Sequence, residues 1–137
     1  MSVRSMLGIG ILGSVLSGCG GPLTYTIKGS PTAPELDAKI VAEVKSDAGM
    51  TTIKIHAEHL APPERLAEGG KTFVVWMKGE KPKWHRVGGL AYKEGDRKAS
   101  IEGASVPVTS FDLLVTVERE ASPEQPSGDV VLLQHVN

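Results

Sequence analysis

From Ala38 to Lys45 the chain alternates, with Ala38, Ile40, Ala42 and Val44 on one set of positions and Lys39, Val41, Glu43 and Lys45 on the other. A period of two places the first set on one face of a β-strand. Ser46-Asp47-Ala48-Gly49 reads as a turn, and the alternation resumes from Thr52 to Glu58 with Ile53, Ile55 and Ala57 inward and Lys54, His56 and Glu58 outward. The two runs predict an antiparallel hairpin with one dry and one wet face. Pro62-Pro63 removes backbone donors, and Glu68-Gly69-Gly70 adds a second break, so residues 61–71 are expected to form an exposed loop. Thr72 to Lys78 is apolar on both faces, Phe73, Val75 and Met77 on one and Val74 and Trp76 on the other, as a central strand requires.

Further strands are predicted at Tyr25–Lys28, Trp84–Val87, Lys98–Glu102, Phe111–Glu118 and Val130–Val136, with turns at Gly79–Pro82 and Glu94–Asp96 and a loop holding Pro123, Pro126 and Gly128. No convincing helix interrupts them. Seven or eight short strands between Gly/Pro turns predict an all-β fold, an immunoglobulin-like antiparallel β-sandwich.

The first residues carry a different pattern. Arg4 precedes an unbroken apolar and small-residue stretch from Met6 to Leu16, and small residues Ser17 and Gly18 follow. This is the order of a secretory signal. As a helix, the stretch would rise roughly 16 Å, about half of a bilayer core, which is too short for a good permanent span. Leu16-Ser17-Gly18-Cys19 resembles the lipobox of bacterial lipoproteins, in which the cysteine thiol receives a diacylglycerol and the preceding peptide bond is cleaved. The resemblance implies that residues 1–18 are a signal peptide, that Cys19 is the acylated first residue of the mature chain, and that residues 19–23 are a short tether to a domain over residues 24–137. The bland alternative is an ordinary signal peptide whose one thiol lies near the cut. Gly20 follows Cys19 where many inner-membrane lipoproteins have Asp, so the same resemblance points to the outer membrane. Residues Cys19 to Pro22 reach roughly 14 Å at most, so the domain is expected close to the membrane surface.

Composition narrows the functional classes. The 137 residues carry a formal charge of −1, with 15 Lys and Arg against 16 Asp and Glu, the wrong balance for tracking phosphate backbones, so no nucleic-acid partner is expected. One cysteine excludes an intramolecular disulfide and a thiolate zinc site. Gly8-Ile9-Gly10-Ile11-Leu12-Gly13 satisfies a dinucleotide-binding fingerprint in spacing only, since no strand precedes it. Gly69-Gly70-Lys71-Thr72 lacks the earlier glycine of a phosphate-binding loop, Arg65 standing in that place.

Thr72-Phe73-Val74-Val75-Trp76-Met77, Gly88-Gly89-Leu90, Phe111 to Glu118 and Ser122 to Leu132 together resemble the extracytoplasmic C-terminal domain of anti-sigma-K factors. The resemblance covers most of residues 24–136 and implies an immunoglobulin-like envelope module. It does not carry over sigma-factor inhibition, because those regulators place a sigma-binding domain and a membrane span before this module, whereas only the lipoprotein signal precedes it here.

Candidate chemistry is sparse. His56, Glu58 and His59 are the densest set of metal-ligand types, but on a strand His59 points away from the other two, and a third ligand would have to come from His85 or His135. The bland reading is a solvated surface, and no cofactor is expected. No G-x-S-x-G elbow occurs in the mature chain, and Ser100, Ser105 and Ser110 fall in turn-like surroundings. Glu94 and Asp96 flank a turn glycine as solvated carboxylates do. Trp76 is expected in the core and Trp84 half exposed. Lys78, Lys81, Lys83 and Arg86 surround Trp84, either as a sheet edge guarded against aggregation or as a patch for anionic lipid or glycan. The expectation is a non-enzymatic, lipid-anchored envelope protein acting as a binding or structural module. An accessory sensor beside an envelope-stress regulator, or weak metal capture, are the alternatives. Its expected partners are the membrane and an envelope protein met by the 61–71 or 121–128 loop.

Overall fold

A computed structural model describes residues 21–137. The signal segment, the lipobox residues Leu16, Ser17 and Gly18, and Cys19 lie outside the described residues. Among the described residues nine strands form: β1 (Leu23–Lys28), β2 (Asp37–Lys45), β3 (Met50–Glu58), β4 (Thr72–Lys78), β5 (His85–Gly89), β6 (Ala91–Lys93), β7 (Lys98–Val106), β8 (Phe111–Glu118) and β9 (Val130–Val136). One sheet has the order β1-β2-β3-β7-β6 and the other β5-β4-β8-β9, with every pair antiparallel. The orders β2-β3-β7-β6 and β9-β8-β4-β5 are the ABED and GFCC′ sheets of an immunoglobulin-type sandwich, and β1 adds a strand outside the A position.

The alternation written in the sequence sets the inner faces. Ala38, Ile40 and Ala42 of β2 and Ile53, Ile55 and Ala57 of β3 meet Phe73, Val75 and Met77 of β4 and Leu113, Val115 and Val117 of β8 in one buried cluster. β4 lies between β5 and β8, as its two apolar faces require. Opposite the single Lys54, β7 carries both Glu102 and Gly103, the latter at φ +63°, a bulge that bends the strand.

Several expectations are corrected. Residues 61–71 are not simply an exposed loop: Pro63–Leu66 forms a one-turn helix, α1, with Pro63 and Gly70 buried and Leu66 and Ala67 packed against the core. Pro62 and Pro63 start that turn, because proline presets the helical φ and a missing donor costs nothing there. Ser100 and Ser105 lie in β7, which runs four residues past its predicted end, rather than in turns. Ala91–Lys93 was not expected as a strand, and β1 starts at Leu23, inside the expected tether. Among the described residues no helix is long and apolar enough to cross a membrane.

Candidate functional site

Three turns meet at one end of the sandwich: Ser46–Gly49 between β2 and β3, residues 79–84 between β4 and β5, and residues 107–110 between β7 and β8. They surround a groove of about 630 Å³. Its apolar floor includes Met77 and Phe111, both buried, and half-buried Val108. The Thr51 hydroxyl, fully buried, donates 2.8 Å to the Val108 carbonyl and so ties the 107–110 loop to β3. Lys78, Lys81, His85 and His135 supply nitrogen donors at the rim. His135 Nδ1 lies 2.8 Å from Asp112 Oδ1 across the β8–β9 ladder, which fixes that ring. Glu80 and Asp112 add carboxylates to the same rim, so an apolar floor is ringed by groups of both charges.

The lysine cluster read from the sequence divides. Lys78 Nζ lies 4.8 Å from the Trp84 ring centroid, a cation–π contact. Arg86 Nε instead donates 3.1 Å to the Ala121 carbonyl, which draws that side chain toward the β8–β9 loop and away from the end. Lys81 and Lys83 remain exposed in the turn.

The His56, Glu58 and His59 set is not brought together. His56 Nε2 meets Glu102 Oε2 at 2.9 Å on the β7 side of β3. His59 takes a left-handed conformation, φ 57°, that ends β3 and turns its ring toward β2, with Nδ1 2.8 Å from Asp37 Oδ2. His59 and then Lys28 hold the Asp37 carboxyl below the usual carboxylate range. His85 and His135 belong to the other sheet and lie at the other end. Among the described residues no group of three His, Cys, Asp or Glu is placed to hold a metal ion.

At the end opposite the groove lies a buried polar network that the sequence did not suggest. Glu118 reads as an outward residue of β8, yet it is 1% exposed. Its carboxylate accepts hydrogen bonds from the Thr116 hydroxyl at 2.6 Å, the Ser127 hydroxyl at 2.7 Å, and the backbone N–H groups of Ser127 and Gly128 at 3.0 and 3.2 Å. Trp76 Nε1 donates 3.0 Å to the Thr116 oxygen. Burial pushes the Glu118 pKa up, but the bonds from Thr116, Ser127 and Gly128 outweigh it and hold the carboxyl below its ordinary value. Trp76 is thus buried as expected, though on the outer face of its sheet, in a small cluster with Val74, Leu114 and half-buried Trp84. The sequence hint was that Val74, Trp76 and Leu114, which share that outer face, are apolar.

These features define an immunoglobulin-type sandwich with a charge-rimmed groove at one end and a carboxylate-latched loop at the other. No protein-family model matches the chain, and no curated protein or solved structure matches it either.

Proposed function

We propose that the chain is a lipid-anchored cell-envelope protein, exposed at the outer membrane, whose sandwich serves as a non-enzymatic binding or structural module close to the lipid surface. The observation that carries the reading is how soon regular structure follows the lipobox-like sequence. β1 is paired with β2 from Leu23 onward, only four residues past Cys19. An acyl group on Cys19 would therefore hold a folded surface, with no long flexible stalk between. Several acyl chains at about 0.8 kcal/mol per buried methylene make such an anchor practically irreversible.

Metabolic labelling with an alkynyl fatty acid, followed by membrane fractionation, tests the anchor. Wild-type protein should carry the label and sediment with membranes, and Cys19→Ala should lose both properties. An unlabelled wild-type protein in the soluble fraction overturns the reading. Crosslinking in cells, with the same variant as control, then reads the partner. A membrane-spanning regulator captured only with the anchored form would favour the accessory-sensor role, which the anti-sigma-K resemblance alone motivates.

A further inference from the structure

The tether lies nearer one end of the sandwich than the other. Leu23 is paired with Ala42, three residues short of Lys45 at the groove end of β2 and five residues from Asp37 at the opposite end. At about 3.3 Å per residue these separations are roughly 10 Å and 17 Å. Four tether residues span roughly 14 Å at most, which exceeds the first distance and falls short of the second. A domain anchored through Cys19 therefore holds its groove end nearer the bilayer than the opposite end.

Charge is distributed the same way. At the groove end Lys45, Lys78, Lys81 and Lys83 face Asp47, Glu80 and Asp112, and Asp112 is engaged by His135. At the far end the loops 29–36, 59–71 and 119–129 and the 93–98 hairpin place Glu35, Glu64, Glu68, Glu94, Asp96, Glu120, Glu124 and Asp129 against Arg65, Lys71, Lys93, Arg97, Lys98 and Arg119. With four lysines against three carboxylates, one of them engaged by His135, the groove end is the less repelled of the two by an anionic surface. Lys81 and Lys83 are exposed in the turn beside the groove and are free to approach headgroups.

From reach and charge together we infer that the groove end, with Lys81 and Lys83 at its centre, is a contact surface for the headgroups of anionic phospholipids. The direction the domain faces rests on the lipid-anchor reading, whereas the affinity of the surface is a property of the domain itself. Each lysine near a negative membrane surface contributes an attraction equivalent to about fivefold in binding, and salt screens it.

The described core and the side chains packed on it lie within residues 23–136, so the chain from residue 19 with Cys19→Ser provides an unlipidated probe of the surface. It should bind vesicles of equimolar phosphatidylcholine and phosphatidylglycerol, release them as salt is raised, and ignore vesicles of phosphatidylcholine alone. Lys81→Ala and Lys83→Ala should each weaken binding about fivefold. Lys93→Ala and Lys98→Ala, in the hairpin at the far end, should leave it unchanged. Equal binding to both vesicles, no binding, or an equal loss from the far-end pair would falsify the inference. In the lipidated full chain, an environment-sensitive dye at Ser110→Cys should report an apolar surrounding and one at Glu124→Cys water; the reverse also overturns it. Failure of the anchor itself shows separately, as a full-length chain that leaves the membrane while the vesicle result stands.

Discussion

At Glu118 a carboxylate is closed off from water yet meets four donors and no cation, so its ionisation is tied to one loop conformation. Its folded pKa lies below the ordinary glutamate value of about 4.3, so as pH falls the unfolded chain takes up the proton first. The stabilisation is complete above that ordinary value and disappears as pH descends through the lower folded one. Glu118→Gln turns an amide toward donors that a carboxylate satisfied, and should lower stability by about 1–3 kcal/mol at pH 7. Urea unfolding from pH 7 to pH 3 checks this: the gap between wild type and variant should narrow as pH falls below the ordinary glutamate value, and a constant gap contradicts the assignment. Gly128 is the second fixed point of the latch, because a Cβ there would run into the Val117 carbonyl oxygen. Gly128→Ala should cost about 3 kcal/mol by forcing the loop off β8, seen as a lower midpoint in the same titration. Sequence places Gly128 in a loop and Glu118 at the end of a strand, but not the contact between them. A period of two says which residues share a face, but it cannot say that a loop ten residues later folds back to cover that face.

β9 is the least guarded of the four strands that end the sheets. β1 carries Lys28, β5 carries Arg86 and two glycines, and β6 is three residues long with Lys93, while β9 reads Val130-Val131-Leu132-Leu133-Gln134-His135-Val136 with no Lys, Arg, Asp, Glu or Pro. It also carries Val130 and Leu133, the large hydrophobic side chains that stand out in solvent among the described residues, the latter 60% exposed. Such an edge favours strand-to-strand association, and a lysine on it opposes that. Leu133→Lys should leave the unfolding free energy within about 0.5 kcal/mol of wild type while reducing concentration-dependent self-association in light scattering. Unchanged scattering would mean that the edge is not the point of contact. Strand existence was largely readable from sequence: β8 begins and ends where its alternation does, β9 spans the Val130–Val136 run that follows the last Gly/Pro loop, and the hairpin of β2 and β3 turns at Ser46–Gly49 as expected. β6 and α1 were not readable, since three and four residues hold less than a usable period. Ser100 and Ser105 misled because serine's preference for turns is weaker than the ladder that β3 and β6 impose on β7.

On the lipid-anchor reading the whole molecule couples a short tether to a lysine-bearing turn at one end, and the two causes of orientation can be separated. If the groove end meets the membrane only because the tether is short, lengthening the tether should release it. If the lysines at that end hold it there, the contact should survive as long as the lipids are anionic and the salt is low. A flexible linker of about 12 Gly and Ser residues inserted between Gly21 and Pro22 would add a root-mean-square reach of roughly 20 Å, enough to let either end approach the surface. The expected outcome is that a dye at Ser110→Cys stays in an apolar surrounding at low salt in the lengthened protein and moves into water as salt is raised, because Debye screening then removes the attraction. In the unmodified protein the same dye should stay put at both salt concentrations, since a tether of roughly 14 Å still holds that end nearer the bilayer. A lengthened protein that leaves the surface even at low salt would assign the orientation to the tether alone. The basic turn would then be a guard on the β5 sheet edge, the role that a lysine-rich hairpin most often has.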